Sequence, residues 1–214
     1  MKKKKEMMSK IDQLFLDAQK KLSSSNCSVK KMREFLRKKG GKKNEIDEVI
    51  IKLKKYSFLD EDEIIENVIS YCDTKHYGYN KIISMLNQRE VDKEKINRIK
   101  LNLSREEIES KELIKKLKKR YKNKNTVNLR RNIYSALIRY GFEPNTASIR
   151  AEEVYNSPQE EINVLKLDYL KLISSYSRKL KDNNYKDKIT ELLLNKGYKL
   201  NDIRKVENII YEMD

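Results

Sequence analysis

Apolar residues recur at intervals of three and four along almost the whole chain, and this periodicity constrains the fold more than any other feature. The positions Ile46, Val49, Ile50 and Leu53 are one example. Such spacing places apolar side chains on one face of an α-helix. Turn residues are scarce, since the 214 residues include only 5 Gly and 2 Pro. Strand-rich and parallel α/β folds need more such turns, so the sequence predicts an all-α protein.

The supply of apolar residues is low for a single round core. Hydrophobic residues make up 38% of the chain and charged residues another 38%, against about 45–50% and about 25% in ordinary globular domains. The aliphatic content nevertheless exceeds that of disordered chains of similar charge. Tandem helical units, which share part of their core with the next unit, suit this composition.

A short turn pattern repeats along the chain. Gly40, Gly141 and Gly197 each follow a leucine by four residues, and Glu90 stands in the same relation to Leu86. The four leucines are separated by 50, 51 and 56 residues. Glycine just after a periodic stretch is typical of a helix end, where the backbone becomes left-handed. The period predicts an elongated, curved array of tandem three-helix repeats, with about four units and roughly twelve helices.

Helix start signals help to place the boundaries of these units. In a capping box, a short side chain that accepts a hydrogen bond stands three residues before an acidic residue. This spacing occurs at Asp60 with Glu63, Ser104 with Glu107, and Ser157 with Glu160. Pro158 then falls at a first helical position, which proline favours. The predicted three-helix units span residues 7–55, 60–103, 105–155 and 159–212.

Residue types that perform catalysis or hold metals are scarce. The chain has one histidine, His76, and two cysteines, Cys27 and Cys72, none of which has a partner at metal-ligand spacing. Nucleotide-binding and hydrolase motifs do not occur. We therefore expect no enzyme activity, and no catalytic residue, cofactor or metal site. Cysteine usage favours a reduced, cytoplasmic protein, and no apolar run has the length of a membrane span, so we expect no membrane partner.

Positive charge is in excess. The chain has 49 Lys and Arg against 33 Asp and Glu, a formal net charge of +16, which indicates a polyanionic partner or an acidic protein surface. The lysine-rich usage is also typical of A/T-rich genomes, and genome composition is the alternative explanation for part of this excess. Basic residues are densest in two clusters, over residues 30–43 and residues 111–131. Because Ile114, Leu117 and Tyr121 fill the apolar stripe of their helix, the neighbouring lysines lie at the surface. They either form an ordinary solvated helix face or contact phosphates of a partner.

One segment of the second predicted unit carries an ordered set of short motifs. It reads Phe58-Leu59-Asp60-Glu61-Asp62, then Lys75-His76-Tyr77-Gly78, then Lys81-Ile82-Ile83 and Leu86-Asn87-Gln88. In order and spacing this segment resembles the RecX regulatory protein family, whose second repeat typically reads [YF]-L-D-D, K-G-Y-G, R-I-x-x-E-L and K-G-[IV]. The repeat period extends the resemblance over about residues 10–214.

The sequence departs from the family pattern at three positions. Cys72 stands where the family has an arginine, and it shares the apolar face of its helix with Val68 and Ile69, so we expect a buried thiol. His76 replaces the glycine of K-G-Y-G, and Glu90 replaces the glycine of K-G-[IV].

The resemblance implies a non-catalytic regulator. Proteins of this family bind the RecA recombinase filament on single-stranded DNA and inhibit its ATPase and strand exchange, so the implied partners are the filament and single-stranded DNA, directly or through the filament. We expect a monomer that caps filament ends or bridges protomers. The interface candidates in the matched motif are Lys75, Tyr77 and Lys81. Further candidates, chosen for their charge, are Arg89, Lys115, Lys119, Arg130 and Arg131.

Two other functions remain open. The alternative from a different class is a sequence-independent nucleic-acid-binding helical module, in which the basic face binds DNA or RNA directly. The second open function is that of a structural scaffold for a helical partner, and no residue in the sequence favours it specifically. The tyrosines could stack on bases, although Tyr121, Tyr140, Tyr169 and Tyr176 follow the apolar periodicity and are expected in the core.

Overall fold

The structure, a computed structural model, describes residues 8–24, 26–176 and 185–212, which form twelve α-helices and no strand. The all-α prediction is confirmed. The first six helices are α1 Lys10–Ser24, α2 Val29–Lys38, α3 Lys43–Lys55, α4 Glu61–Lys75, α5 Tyr79–Gln88 and α6 Lys93–Arg98. The next six are α7 Leu103–Arg120, α8 Thr126–Arg139, α9 Pro144–Glu152, α10 Pro158–Tyr176, α11 Tyr185–Asn195 and α12 Leu200–Tyr211.

The helices belong to two compact units, the first ending at Arg105 and the second beginning at Glu106. The predicted boundaries of four smaller units stay a prediction, and residues 7, 25 and 177–184 of those ranges lie outside the described residues.

The first compact unit contains two clusters of buried apolar side chains. One joins α1, α2 and α3, with Leu14, Leu36 and Leu53 fully buried. The other joins α4, α5 and α6 and includes Cys72 and Leu86, both fully buried. Each fully buried leucine stabilises the fold by about 1.5–3 kcal/mol relative to an exposed one. The expectation of a buried Cys72 thiol is confirmed.

The second compact unit also contains two clusters. Leu117, Ile133 and Phe142 lie in the cluster of α7, α8 and α9, and Tyr169 and Tyr198 lie in the cluster of α10, α11 and α12. The Tyr198 hydroxyl donates to Asp168 Oδ2 at 3.0 Å, which satisfies the buried phenol.

The tyrosines predicted for the core differ in burial. Tyr169 is fully buried, as expected, whereas Tyr121 and Tyr140 are partly buried and pack against the edge of their cluster. Tyr176, in the last turn of α10, is half-buried.

A glutamate at the start of a helix makes the same link in both compact units, and it is buried at Glu61 and half-buried at Glu161. Glu61, the first residue of α4, accepts a hydrogen bond at Oε1 from the Val29 backbone N–H at the start of α2, at 2.9 Å. Glu161, in the first turn of α10, accepts at Oε2 from the Thr126 N–H at the start of α8, at 3.0 Å. The first N–H groups of a helix have no partner within the helix, and a carboxylate satisfies them well. These side chains therefore fasten α4 to α2 and α10 to α8.

Six helices of the described chain end in the same left-handed turn. The residues with positive φ are Gly40, Ser57, His76, Glu90, Gly141 and Gly197. At Glu90, for example, the Glu90 N–H donates to the Asn87 carbonyl at 2.9 Å and the Val91 N–H donates to the Leu86 carbonyl at 3.2 Å. This pair of bonds is the Schellman motif, and it recurs at the other five positions. The four turns predicted from sequence are confirmed. The turns at Ser57 and His76 were missed because neither residue is glycine and neither falls on the period of 50 to 56 residues that located Glu90.

Two of the three predicted helix starts are confirmed. Asp60 accepts from the backbone N–H groups of Asp62 and Glu63. Ser157 and Glu160 cap each other, with the Ser157 N–H donating to Glu160 Oε2 at 2.7 Å, and this contact holds the pKa of Glu160 below its usual value.

The predicted start at Ser104 is wrong. The helix begins at Leu103, and Asn102 Oδ1 accepts from the Arg105 N–H at 3.0 Å. Asparagine caps a helix as well as serine does, and Asn102 lies two residues earlier, so the helix extends back to it.

The left-handed turns predict opposite effects of two substitutions. His76→Gly should raise the free energy of unfolding by about 0.5–1 kcal/mol, because glycine adopts positive φ without the steric cost of a side chain. Gly40→Ala should lower it by about 1 kcal/mol. A Cβ at Gly40 would meet only Lys10 Nζ at 3.8 Å, so the conformational cost is isolated from any clash. Urea unfolding followed by circular dichroism measures both, and a stabilising Gly40→Ala would contradict the assignment.

Candidate partner-binding surfaces

Three of the predicted interface residues lie together where α4 turns into α5. Lys75 is in the last turn of α4, Tyr77 follows the left-handed His76, and Lys81 is in the first turn of α5. The Lys81 Nζ lies 5.6 Å from the centroid of the Tyr77 ring. Together with Tyr71 these residues form what we call the α4–α5 corner.

Tyr71 belongs to the same surface, although it is not among the residues predicted from sequence. Its ring centroid lies 6.3 Å from that of Tyr77, with the ring planes tilted by 51°. The Lys75 Nζ lies 6.0 Å from the centroid of the Tyr71 ring. Tyr71 stands four residues before Lys75, and residues four apart are neighbours on a helix surface. This spacing was the available signal, since the side chain lies just off the stripe of α4 that contains Val68 and Cys72.

The backbone of the corner is fixed from two sides. The Tyr77 N–H donates to the Cys72 carbonyl at 2.9 Å. Arg105, from the first turn of α7, donates from Nη2 to the Tyr77 carbonyl at 3.0 Å and from Nε to Asp73 Oδ1 at 2.7 Å. Charge-assisted hydrogen bonds of this kind are among the stronger ones in proteins. The Tyr77 ring is therefore held on an anchored peptide.

The corner carries uncompensated positive charge. Within the described part of the chain, neither Lys75 nor Lys81 forms an ion pair, whereas the nearby Asp73 carboxylate is already bound by Arg105. Arg89, the remaining candidate of this helix pair, lies exposed at the far end of α5, and it also forms no ion pair with any described residue. The predicted set thus contains three neighbouring residues and one at the opposite helix end.

Cys72 supports the corner without chemical reactivity of its own. Its side chain is fully buried and its Sγ lies 3.8 Å from Met85 Sδ. Burial raises the pKa of the Cys72 thiol, and the positive charge of Arg105 opposes this only in part. The neutral thiol is a poor nucleophile, so it acts here as a small apolar side chain.

The second group of candidates lies on α7 and α8 in the second compact unit. Lys115 and Lys119 are exposed and four residues apart, hence on one face of α7. Lys115 Nζ forms an ion pair with Glu112 Oε1 at 2.6 Å, a surface contact of at most about 1 kcal/mol. Among the described residues, Lys119 has no ion pair. We call these two lysines, with Arg131, the α7–α8 basic surface.

The two arginines at the start of α8 differ in their roles. Arg130 donates from Nε to the Val154 carbonyl at 2.8 Å, which joins α8 to the segment after α9. Arg131 is exposed, and among the described residues its hydrogen-bond partner is the local Asn128 side chain. Arg131 is therefore accessible to a partner, whereas Arg130 is engaged in the fold.

A groove of about 560 Å³ adjoins Lys115. Its apolar lining includes Ile108, Ile114 and Tyr155, and Tyr155 is largely exposed. Lys118 Nζ donates to the Tyr155 carbonyl at 3.3 Å on one side of it.

Several residues of the other basic cluster, over residues 30–43, form ion pairs and hydrogen bonds within the protein. Lys30 Nζ pairs with Glu90 Oε2 at 2.9 Å, Lys31 Nζ donates to the Gln88 carbonyl at 3.0 Å, and Arg33 pairs with Asp47. The hydrogen bond from Lys30 holds the pKa of Glu90 below its usual value. These contacts fasten α2 to α3 and to the end of α5.

Neither a metal centre nor a membrane segment is found in the described ranges. Within residues 8–24, 26–176 and 185–212, no cluster of three His, Cys, Asp or Glu side chains is placed to hold a metal ion. None of the described helices combines the length and the apolar character of a membrane span.

Comparison with known proteins gives one similar solved structure. No protein-family model matches the chain, and no curated protein matches it. The chain is similar to the crystal structure of RecX from Lactobacillus salivarius, with 17% sequence identity and a TM-score of 0.28. The match covers 92% of this chain and 94% of that chain.

The anchoring role of Arg105 gives a prediction about stability. Arg105→Gln should lower the free energy of unfolding by about 1–2 kcal/mol, because the Tyr77 carbonyl and the Asp73 carboxylate lose a charged donor. Urea unfolding measures the change. Lys100→Gln, which removes an exposed charge outside the helices, is the matched control and should change the stability by less than about 0.5 kcal/mol. Equal effects of the two substitutions would contradict the anchoring role.

Proposed function

We propose that this protein is a non-catalytic regulator of a RecA-type recombinase, which binds the RecA filament on single-stranded DNA and inhibits its ATPase and strand exchange. One observation carries the proposal. The motifs that resemble the RecX family form a single continuous piece of structure, from the Asp60 cap of α4 to the left-handed turn after α5, and the surface at its centre is aromatic and positively charged.

The departures from the family pattern are compatible with this backbone. His76 has φ of 54° and Glu90 has φ of 58°, so both positions have the left-handed conformation for which glycine is the usual residue. The substitutions change side chains and leave the turns in place. At Cys72 the family arginine is absent, and Arg105 brings a guanidinium group to the same turn from α7.

The charge distribution supports a binding role. A filament of recombinase on DNA presents phosphates and acidic protein surface, and cations on the regulator would contact either of them. Lys75 and Lys81 in the first compact unit, and Lys119 and Arg131 in the second, are cations without an ion pair among the described residues. The protein thus has accessible positive charge in both units.

Inhibition through binding alone requires a difference in affinity between two states of the filament. A ligand shifts an equilibrium only by as much as it prefers one state over the other. A regulator that binds several adjacent protomers, or the end of a filament, would favour a state with slower ATP turnover or fewer bound protomers. No group on the regulator need take part in the chemistry of ATP hydrolysis.

The direct test is the ATPase rate of a RecA recombinase on single-stranded DNA, titrated with this protein in moderate salt. We expect inhibition at fewer than one regulator per recombinase protomer, because one bound regulator affects several protomers or a filament end. An unchanged ATPase rate at equimolar regulator would contradict the proposal.

Charge reversal tests the α7–α8 basic surface. The triple variant Lys115→Glu, Lys119→Glu, Arg131→Glu should raise the half-inhibitory concentration about 10- to 100-fold, since interface charges of this kind contribute up to about 1 kcal/mol each. Arg130 is left unchanged because it holds the segment after α9. The matched control reverses three exposed lysines elsewhere, Lys20, Lys55 and Lys93, which gives the same net charge.

Circular dichroism checks that both triple variants remain helical. If the control lowers inhibition as much as the test variant does, the effect comes from net charge and the surface assignment is wrong.

A further inference from the structure

Tyr71 is an aromatic side chain that the fold leaves at the surface. It is 45% exposed, although the core-facing positions of the same helix, Val68 and Cys72, are 1% and 0% exposed. Its backbone carbonyl accepts from the Thr74 hydroxyl at 2.8 Å, within the last turn of α4. The ring is thus presented to solvent from a well-formed helix end.

Tyr77 supports this ring from the side. The two rings make a tilted contact at 6.3 Å between centroids, which is within the range of favourable aromatic pairs. The Tyr77 peptide is anchored by Cys72 and Arg105. The surface is therefore ordered before a ligand stacks on Tyr71, so that binding would lose little conformational entropy of the protein.

A lysine ammonium group lies over each ring. Lys75 Nζ is 6.0 Å from the centroid of the Tyr71 ring, and Lys81 Nζ is 5.6 Å from that of the Tyr77 ring. Neither pairs with a carboxylate among the described residues, and Arg105 binds Asp73. An exposed aromatic ring beside uncompensated lysines suits single-stranded nucleic acid, whose bases stack on the ring while phosphates contact the cations.

The alternative partner for this surface is an acidic protein segment. Carboxylates would satisfy Lys75 and Lys81, but they would leave the ring of Tyr71 without an apolar or π-faced contact. A nucleotide satisfies both features, because its base covers the ring and its phosphate contacts the lysines. The combination of the two features favours the nucleic acid.

We infer that the α4–α5 corner binds the DNA single strand itself, with a base stacked on Tyr71 and phosphates contacted by Lys75 and Lys81. This inference rests on the proposed function, because it names the component of the nucleoprotein filament that this surface contacts. It adds Tyr71 to the interface and assigns the corner to DNA, whereas the α7–α8 basic surface is left for either component.

The test measures binding of the full chain to a labelled oligodeoxythymidine by fluorescence anisotropy. Tyr71→Leu should weaken binding about 5- to 100-fold, the range found for removal of one stacked base contact. Tyr71→Phe keeps the ring and should bind within about twofold of the unaltered protein. Tyr56→Leu is the matched control, since Tyr56 is 59% exposed and its ring makes a similar tilted contact with Phe58 at 6.5 Å, but it lies at the end of α3.

Salt dependence separates stacking from charge. Each of Lys75→Gln and Lys81→Gln should reduce the slope of log affinity against log salt by about 0.7, the value for one phosphate contact on a single strand. Tyr71→Leu should leave the slope unchanged, because stacking releases no counterions. A slope unaltered by both lysine substitutions would overturn the assignment of the phosphates.

A second variant protects the test against loss of folding. The chain contains no tryptophan, so Tyr71→Trp introduces a single fluorophore that keeps the stacking surface. Oligodeoxythymidine should quench its emission on binding, and salt should reverse the quenching. Binding without any change in tryptophan emission would overturn the inference.

The outcomes distinguish this inference from the proposed function. If Tyr71→Leu binds the oligonucleotide as tightly as Tyr56→Leu and the unaltered protein do, the corner does not bind DNA. If Tyr71→Leu lowers ATPase inhibition without lowering oligonucleotide binding, the corner contacts recombinase, which overturns this inference and leaves the proposed function standing. If oligonucleotide binding depends on Tyr71 but the recombinase is never inhibited, only the proposed function fails, and the DNA assignment of the corner is supported.

Discussion

The way each short helix ends is the constraint on which the rest of this structure depends. The helices contain between 6 and 19 residues, and isolated helices below about 12–15 residues are marginal in water. Their stability must come from packing one apolar stripe against another, so the chain has to reverse direction without moving that stripe out of register. The left-handed turn does this with two backbone hydrogen bonds, and it recurs at six helix ends, from Gly40 to Gly197.

The candidate binding surface of the first unit is a consequence of one such turn. Because His76 is left-handed, the chain leaves α4 and enters α5 within three residues, which brings Tyr77 against Tyr71 and Lys81 beside the Tyr77 ring. A protein that acts only through binding, as proposed for this one, depends on such fixed placement, since its effect on a partner is limited to differences in affinity. The same residues therefore stabilise the turn and form the surface that would bind a partner.

Some signals in this sequence match the structure and others do not. Apolar periodicity located the helices, and glycine located three of the six left-handed turns, because both depend on the conformational preferences of nearby residues. The turn at Glu90 was found only through its spacing from Leu86. Ser57 and His76 were missed, since both residues have a backbone conformation that their own preferences disfavour, within turns closed by backbone hydrogen bonds. The α7 start was misplaced because two competent caps, Asn102 and Ser104, lie two residues apart.

The sequence alone determined the helical fold class, the positions of most helices and the excess of positive charge, because each of these follows from residue identity and local spacing. The tertiary structure decided which basic residues remain accessible. Lys30, Arg33 and Arg130 are engaged by distant groups, whereas Lys75, Lys81 and Lys119 are not paired with a carboxylate among the described residues. It also placed Tyr71 beside Tyr77 and Lys75. Such choices depend on contacts between residues far apart in the chain, as between Arg105 and Tyr77, which are 28 positions apart, and local sequence carries no signal for them.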